Sequence, residues 1–294
     1  MKFGVCIPNY GETLALEALR DVALETEKLG YDSIWTTDHV LMPKLSGTPY
    51  EKIFDCIGTL SYIAALSSRV RLGISSLIIA MRNPAVVAKQ LASLDHFSHG
   101  RLLLAIASGW NEKEFSFIGS NYNNRGKRID ESIRLIRALW SGETSFKGRY
   151  QSFDGAVFEP KPISKNLEIW IGGSSPAAMR RAAELGDAWH PNVMPLDMFR
   201  AAVSSFRKIS GTSSHKRICV RIALNLSLVE SEIIGAQGDR RVVLSRDMSK
   251  NNAVIRDLEE LGVDYALLAV NPDGKIDRNA QLEGLRAFAK EFLA

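Results

Sequence analysis

Residues 70–107 read VRLGISSLIIAMRNPAVVAKQLASLDHFSHGRLLLAIA, and this stretch decides the fold. Its first apolar run, Val70–Ser75, is followed by a helical pattern that begins at the pair Asn83 and Pro84. Asn is a favoured helix N-cap, and Pro suits the first helical turn. A second apolar run, Leu102–Ala107, follows the helix. Runs that are apolar on both faces are typical of parallel strands covered on both sides, so this stretch predicts a strand–helix–strand unit.

The same alternation of apolar run and helical pattern extends from this stretch to both ends of the chain. Strict alternation predicts an α/β protein. A Rossmann sheet should show G-x-G-x-x-G after its first strand, and the sequence does not contain this motif. Eight such units predict one (β/α)8 TIM-barrel domain over 1–294, with an insertion after strand 4 at about 108–166. The predicted strands are Phe3–Pro8, Ser33–Thr37, Val70–Ser75, Leu102–Ala107, Leu167–Ile171, Asp187–His190, Ile218–Val229 and Tyr265–Val270.

Composition narrows the class of protein further. The chain has 294 residues, a net charge of +4 and three cysteines that are far apart, which argues against a disulfide scaffold and a zinc ribbon. Basic residues are interleaved with acids, as on a solvated surface, so no nucleic-acid partner is expected. No apolar stretch approaches the length of a membrane span, and the N-terminal run is too short for a signal peptide. We therefore expect no membrane association and a cytoplasmic location.

The active site of a barrel lies at the carboxyl ends of its strands, and the residues there are polar, amide-rich and aromatic. This rim has no cluster of Asp, Glu and His in a metal-ligand arrangement, so no metal is expected, and it has no Lys that would suggest a Schiff base. Such a rim suits a large planar conjugated molecule. The residues that follow the strands include Asn9, Tyr10, Asp38, His39, Ser75, Ser76, Ser108, Trp110, Asn111, Gly172, Gly173, Ser174, His190 and Asn271.

The motif IWIGGSSP, residues 169–176, is the sharpest local signal. A buried strand runs into Gly172 and Gly173, and Ser174 is the predicted N-cap of a helix with Pro176 in its first turn. Glycines allow an anion to approach the backbone, and a helix N-terminus offers free N–H groups, so the motif predicts a phosphate site. An ordinary strand–turn–helix junction that uses glycine for a positive φ explains the spacing equally well.

The pair Asp38 and His39, at the end of the second predicted strand, is the second candidate. A His in a barrel mouth can act as an acid or base near neutral pH. Asp38 could orient His39 or cap the following turn. A loop His with only a structural hydrogen bond is the alternative interpretation.

The chain resembles the bacterial luciferase-like superfamily, and within it the F420-dependent oxidoreductases. The resemblance spans essentially the whole chain and is carried by the segments FGVCIPNYG, GYDSIWTTDHV, residues 67–115, RGKRIDESIRLIRALW, FEPKPIS and IWIGGSSPAAMRRAAELGDAWHP. It implies a (β/α)8 barrel with a cofactor ring in its mouth. It also implies a non-prolyl cis peptide after strand 3, which by its position in LGISSL is Ser75–Ser76.

The resemblance also assigns roles to individual residues. His39 matches the pocket histidine, and Asp38 its neighbour, as the catalytic candidates. The cofactor contacts implied are Ser75 and Ser76 at the ring, Ser108 and Asn111 after strand 4, and the phosphate-binding turn Gly172, Gly173 and Ser174. Trp110 stands where some F420 dehydrogenases have a catalytic acid, which puts a sugar-phosphate or alcohol dehydrogenase mechanism in doubt.

The cofactor determines the reaction. The resemblance favours coenzyme F420, which implies an oxidoreductase that transfers a hydride to or from an unidentified small organic substrate. FMN is the alternative, and it implies a luciferase-like monooxygenase that uses O2 and reduced flavin from a separate reductase. A flavin-binding protein without turnover is a further alternative. The resemblance also implies a homodimer.

Overall fold

Parallel strands close into a barrel in the computed structural model, which describes residues 1–211 and 216–293. His215, expected on a loop surface, lies outside these residues. The strands, in chain order, are β1 (Lys2–Cys6), β2 (Ser33–Thr36), β3 (Arg71–Ile78), β4 (Leu102–Ala107), β5 (Phe146–Lys147), β6 (Ser152–Phe153), β7 (Ile169–Gly172), β8 (Ala188–His190), β9 (Arg217–Leu224), β10 (Glu232–Ile234), β11 (Arg240–Leu244) and β12 (Tyr265–Ala269).

Eight of these strands form the barrel wall, in the order β1-β2-β3-β4-β7-β8-β9-β12. β12 pairs in parallel with β1, and β8 pairs in parallel with β9, so the sheet closes. The predicted TIM barrel is therefore confirmed. A right-handed crossover between parallel strands requires a long connection, and helices provide it.

Helices connect the barrel strands and cover the outside of the barrel. None of those described is long and apolar enough to cross a membrane. The helices are α1 (Leu16–Lys28), α2 (Cys56–Leu66), α3 (Pro84–Phe97), α4 (Glu112–Phe117), α5 (Arg125–Ser141), α6 (Pro176–Leu185), α7 (Leu196–Ser210), α8 (Met248–Glu260) and α9 (Arg278–Phe292).

The barrel interior is filled by large aromatic side chains. Trp35 and Trp170 are fully buried there, with ring centroids 4.8 Å apart. Gly73 makes room for Trp35, because a Cβ at this position would lie 2.4 Å from the indole. Interior side chains are shielded from water by the strands, while a second, larger apolar layer lies between strands and helices. This packed core holds the strand ends in fixed positions.

The bounds predicted for the seventh strand were wrong. The strand predicted to reach Val229 ends at Leu224, and the segment after it contains the antiparallel hairpin β10–β11. β11 also extends the sheet by pairing in parallel with β9. The apolar part of β11 follows two arginines and a glycine-rich turn, so its sequence is typical of a loop.

Candidate active site

The mouth of the barrel contains two connected cavities. The first, here called the small lobe, has a volume of about 520 Å³ and is lined by the residues after β2, β3, β4 and β7. The second, here called the large lobe, has a volume of about 980 Å³ and is lined by the loops after β1, β2, β9 and β12 and by the β10–β11 hairpin. Both lobes are lined by Tyr50, Asn192, Arg221 and Arg241. The predicted site residues that line the small lobe are Asp38, His39, Ser75, Ser76, Ser108, Gly172, Gly173 and Ser174.

The peptide bond between Ser75 and Ser76 is cis, as the resemblance implied. The register between β3 and β4 shifts at this point, so β3 bulges where it reaches the mouth. The Ser75 hydroxyl lies 2.8 Å from Nε2 of His190, and Nδ1 of His190 faces the carbonyl oxygen of Cys219. Since a carbonyl can only accept, Nδ1 carries the proton and Nε2 accepts from Ser75.

His190 is a neutral, structural residue. Burial lowers its pKa to about 4, against the opposing effect of the Cys219 carbonyl and with a further lowering by the Arg221 charge. An imidazole with this pKa is uncharged at neutral pH. Both of its nitrogens are already engaged in the hydrogen bonds to Ser75 and Cys219. His190 therefore holds Ser75 in place at the small lobe and is not a general acid.

His39 forms a buried pair with Glu114. Nδ1 of His39 lies 2.8 Å from Oε2 of Glu114, and Oε1 of the same carboxylate accepts from the backbone N–H of Val40 at 2.6 Å. Burial alone would raise the pKa of Glu114, but the hydrogen bonds from His39 and from the backbone lower it overall. The imidazole also stacks on Tyr50, with ring centroids 4.5 Å apart. Nε2 has no hydrogen-bond partner among the described residues, so this nitrogen is available to a ligand.

Asp38 does not orient His39, although this was one of its predicted roles. Its carboxylate accepts from the guanidinium of Arg82 at 2.6 Å, from the backbone N–H of Ile78 at 2.9 Å and from the thiol of Cys56 at 3.4 Å. The carboxylate is fully buried. Its donors lie on α2, at the end of β3 and in the segment that follows β3. Asp38 thus joins the end of β3 to α2 and stabilises the wall of the small lobe.

Asn111 also has a role that its position did not predict. It does not line the small lobe; its side chain is the N-cap of α4 and accepts from the backbone N–H of Glu114 at 3.2 Å. Capping an N–H that has no partner within the helix fixes the first helical turn. Asn111 therefore positions Glu114, and Glu114 positions His39.

Glu114 was not among the predicted site residues. Trp110 stands where the resemblance places a catalytic acid in some F420 dehydrogenases, and its indole lies edge-on to the His39 ring, with centroids 5.8 Å apart. Glu114, one helical turn further on, is the carboxylate that contacts His39. The spacing of Asn111 and Glu114, which is that of a capping interaction, was the only local signal.

The turn at residues 172–175 has the form of an anion site. Ser175, rather than the predicted Ser174, is the N-cap of α6 and accepts from the N–H of Ala178. The backbone N–H groups of Ser174 and Ser175 make no hydrogen bond within the described ranges. Gly172 packs against the cis peptide, because a Cβ there would lie 2.7 Å from Oγ of Ser76.

Arg125 adds a positive charge to the lobe that this turn also lines. It lines the small lobe, its guanidinium stacks on Tyr122 at 3.6 Å from the ring centroid, and one of its N–H groups donates to the Tyr122 carbonyl. No carboxylate in the described part of the chain pairs with it. A helix N-terminus, two glycines and a cation together match what a phosphate group requires.

Arg221 is the second residue that the sequence did not single out. It lies on β9 and donates to the Ser75 carbonyl at 2.7 Å, to the Tyr10 hydroxyl at 3.2 Å and to the Thr37 hydroxyl at 3.1 Å. A charged residue inside the apolar run ICVRIAL was the signal that could have identified it, since charges are rarely buried without a reason.

A closed barrel with its polar residues at the carboxyl ends of the strands is the architecture of TIM-barrel enzymes. The family model described as luciferase-like monooxygenase matches residues 1–232, and the chain belongs to this family of oxidoreductases. The family contains both FMN-dependent and F420-dependent relatives of this chain.

Three known proteins illustrate the similarity. The FMNH2-dependent dimethylsulfone monooxygenase of Pseudomonas fluorescens (strain Pf0-1) is 32% identical over 171 residues, which cover 57% of this chain and 46% of that protein. The F420-dependent glucose-6-phosphate dehydrogenase of Kineococcus radiotolerans is 31% identical over 186 residues, covering 60% and 53%. The matches thus span about half the length of these relatives. The crystal structure of monooxygenase RslO1 from Streptomyces bottropensis has the same fold, with a TM-score of 0.80, 19% identity and coverage of 100% and 99%.

Proposed function

We propose that this protein is an F420-dependent oxidoreductase that transfers a hydride between coenzyme F420 and a small organic substrate. The observation that carries the proposal is the buried pair of His39 and Glu114 on the wall of the small lobe. Transfer of a hydride to or from a carbonyl carbon requires a proton to move at the adjacent oxygen. A carboxylate-paired imidazole with one free nitrogen is suited to move this proton.

The residues around His39 have separate roles in the proposed proton transfer. When bound, F420 supplies the hydride or accepts it. Nε2 of His39 gives a proton to the substrate oxygen, or takes one from it. Glu114 stabilises the positive charge that the imidazole acquires and keeps Nδ1 protonated, because a buried carboxylate accepts this hydrogen bond. Trp110 and Tyr50 border the imidazole and restrict the access of water to it.

The residues of the small lobe fit the parts of such a cofactor. The Ser75–Ser76 peptide would support the ring, and Ser108 would contact the side chain that joins ring and phosphate. Gly172, Gly173, Ser174 and the guanidinium of Arg125 would hold the phosphate. These assignments rest on the free N–H groups, the uncompensated cation and the absence of a Cβ at Gly172.

FMN-dependent monooxygenation is the second candidate, and a specific observation supports it. The dimethylsulfone monooxygenase, which uses FMNH2, is as similar to this chain as the F420-dependent dehydrogenase. F420 and FMN both join a three-ring system to a phosphate, so one small lobe suits either. This reaction would need a separate reductase. The contact between His39 and Glu114 argues against the further alternative, a flavin-binding protein without turnover.

The homodimer and the cytoplasmic location remain predictions.

An anaerobic turnover assay tests the proposal. Reduced F420 is mixed with the protein and a panel of ketones, aldehydes and activated alkenes, and the return of the oxidised F420 absorbance is followed. We expect at least one carbonyl compound to be reduced in proportion to the protein. A parallel assay in air replaces reduced F420 with reduced FMN. Oxygen-dependent oxygenation of a substrate in that assay, with no oxidation of reduced F420 in the anaerobic one, would contradict the proposal and support the second candidate.

A further inference from the structure

Arg221 is a partly buried cation at the junction of the two lobes. Its three hydrogen bonds go to a carbonyl and two hydroxyls, all of them neutral oxygens. A guanidinium has five N–H donors, so two remain for a ligand. In the described ranges no Asp or Glu lies within ion-pair distance of Arg221. This separates it from Arg82, whose charge is neutralised by Asp38.

The titratable groups around Arg221 supply no negative charge either. Burial raises the pKa of the Cys6 thiol and of the Tyr10 phenol, so both stay protonated at neutral pH. The same side of the barrel presents His190, which is neutral because its pKa is low. Tyr50 is the remaining titratable neighbour. Burial disfavours the charged guanidinium, but the pKa of Arg221 is raised overall, because the Cys6 thiol and the Tyr10 phenol ionise only far above neutral pH and then favour the cation. At neutral pH these two groups are uncharged and Arg221 is charged.

Removing a charge even partly from water without a counter-ion is costly, so such a charge in a cavity wall suits a ligand of opposite charge. Arg221 donates to the carbonyl oxygen of Ser75, the first residue of the cis peptide that lines the small lobe. It therefore lies directly behind the surface on which the cofactor ring is proposed to rest. The pyrimidine part of a reduced flavin or deazaflavin becomes negatively charged when its N1 loses a proton, and a fixed cation nearby favours that form.

We propose that Arg221 is a positioning residue that selects the reduced, anionic form of the ring cofactor over its oxidised form. This inference rests on the proposed function, since it requires a ring cofactor in the small lobe. It goes beyond it by naming the residue that sets which redox form of the cofactor the protein prefers. The preference would make the protein retain the cofactor while it carries the hydride.

The test uses variants of Arg221 with a matched control. The control is Arg240 on β11, which lines neither lobe and whose charge is neutralised by Glu232 at 2.6 and 2.9 Å. Wild type, Arg221→Met, Arg221→Lys and Arg240→Met are titrated anaerobically at pH 8 with oxidised and reduced F420, or with FMN if the wild type binds only FMN. Isothermal titration calorimetry gives both Kd values, and the pH dependence of absorbance gives the pKa of the bound reduced cofactor.

We expect Arg221→Met to weaken binding of the reduced form at least about ten-fold more than binding of the oxidised form. The pKa of the bound reduced cofactor should rise by about one unit, the shift that corresponds to this factor. Arg221→Lys should keep most of the preference, and Arg240→Met should change neither quantity. Equal weakening of both forms would show that Arg221 only braces Ser75, and it would overturn the inference.

The wild type alone provides a second criterion, in case Arg221→Met does not fold. Its bound reduced cofactor should have a lower pKa than the same cofactor free in solution. An equal or higher value in the complex would overturn the inference while leaving the proposed function intact. Failure of the wild type to bind either form of either cofactor would contradict the proposed function and with it this inference.

Discussion

The two lobes of the mouth have four lining residues in common, but they differ in the structural elements that line the rest of each cavity. The small lobe is lined by strand ends whose polar side chains are buried and hydrogen-bonded, such as Ser75, His190 and His39. The large lobe is lined by loops, and apolar residues on it are open to solvent: Leu45 is 85% exposed and Ile234 68%. Some of its charges are paired on the surface, as Lys275 is with Glu12.

This difference indicates that the two lobes have different functions. Groups that must be held to within a fraction of an ångström are best placed on rigid elements, while loops tolerate change without loss of the fold. The small lobe therefore suits the cofactor and the proton transfer. The large lobe suits a substrate, and its charge pairs and apolar surface leave the substrate class open to change.

The largest expected effect comes from removing the imidazole in the small lobe. His39→Ala should lower kcat by about 10²- to 10⁴-fold, because the proton at the substrate oxygen loses its donor. Cofactor Kd should change little, since the phosphate turn is untouched. The control is His96→Ala, whose imidazole contacts the Lys161 carbonyl far from the mouth. Full turnover in His39→Ala would remove this residue from the mechanism.

Asp38 tests whether the wall of the small lobe is stabilised by buried charge. Asp38→Asn should lower the free energy of unfolding by about 3 kcal/mol, because Arg82 is left without its buried partner. Urea denaturation measures this value. The exposed pair of Arg200 and Asp257 provides the comparison, and Asp257→Asn should cost less than about 1 kcal/mol. Equal losses in the two variants would show that the small lobe is no more rigid than the surface.

Glu114 should make stability sensitive to acid. Its pKa is lower in the folded state than in the unfolded chain, so its contribution is complete above about pH 4.3 and is lost as the pH falls through the folded-state value. Glu114→Gln should therefore flatten the decline in unfolding free energy below pH 5. Glu17→Gln, at an exposed position, should leave the decline unchanged. A Glu114→Gln profile parallel to that of wild type would contradict this account.

The smallest expected effect lies in the large lobe. Ile233, on the β10–β11 hairpin, lines only this cavity. Ile233→Ala should change KM for an active substrate by about two- to ten-fold, the usual range for one trimmed apolar contact, with an unchanged cofactor Kd. Steady-state kinetics and a cofactor titration measure the two quantities. A larger effect on the cofactor than on the substrate would reverse the assignment of the two lobes.

The barrel was predictable from the sequence, because strands buried on both faces leave apolar runs that a single sequence shows. The cis peptide at Ser75–Ser76 followed from the resemblance alone. The partners of His39 and Ser75 did not follow, since Glu114 is 75 residues from His39 and Arg221 is 146 residues from Ser75. Such contacts depend on how loops after separate strands meet. The N-cap of α6 was misplaced by one residue because Ser174 and Ser175 are both suitable caps.

The central claim is that the small lobe holds F420, and competitive binding tests it most directly. Purified apo-protein is titrated with F420 and, separately, with FMN, each followed by fluorescence, and the bound cofactor is then challenged with the other. The account predicts that F420 binds with the lower Kd and displaces FMN, and that Gly172→Ala weakens its binding. Tighter binding of FMN would contradict the claim and move the reaction to oxygen chemistry.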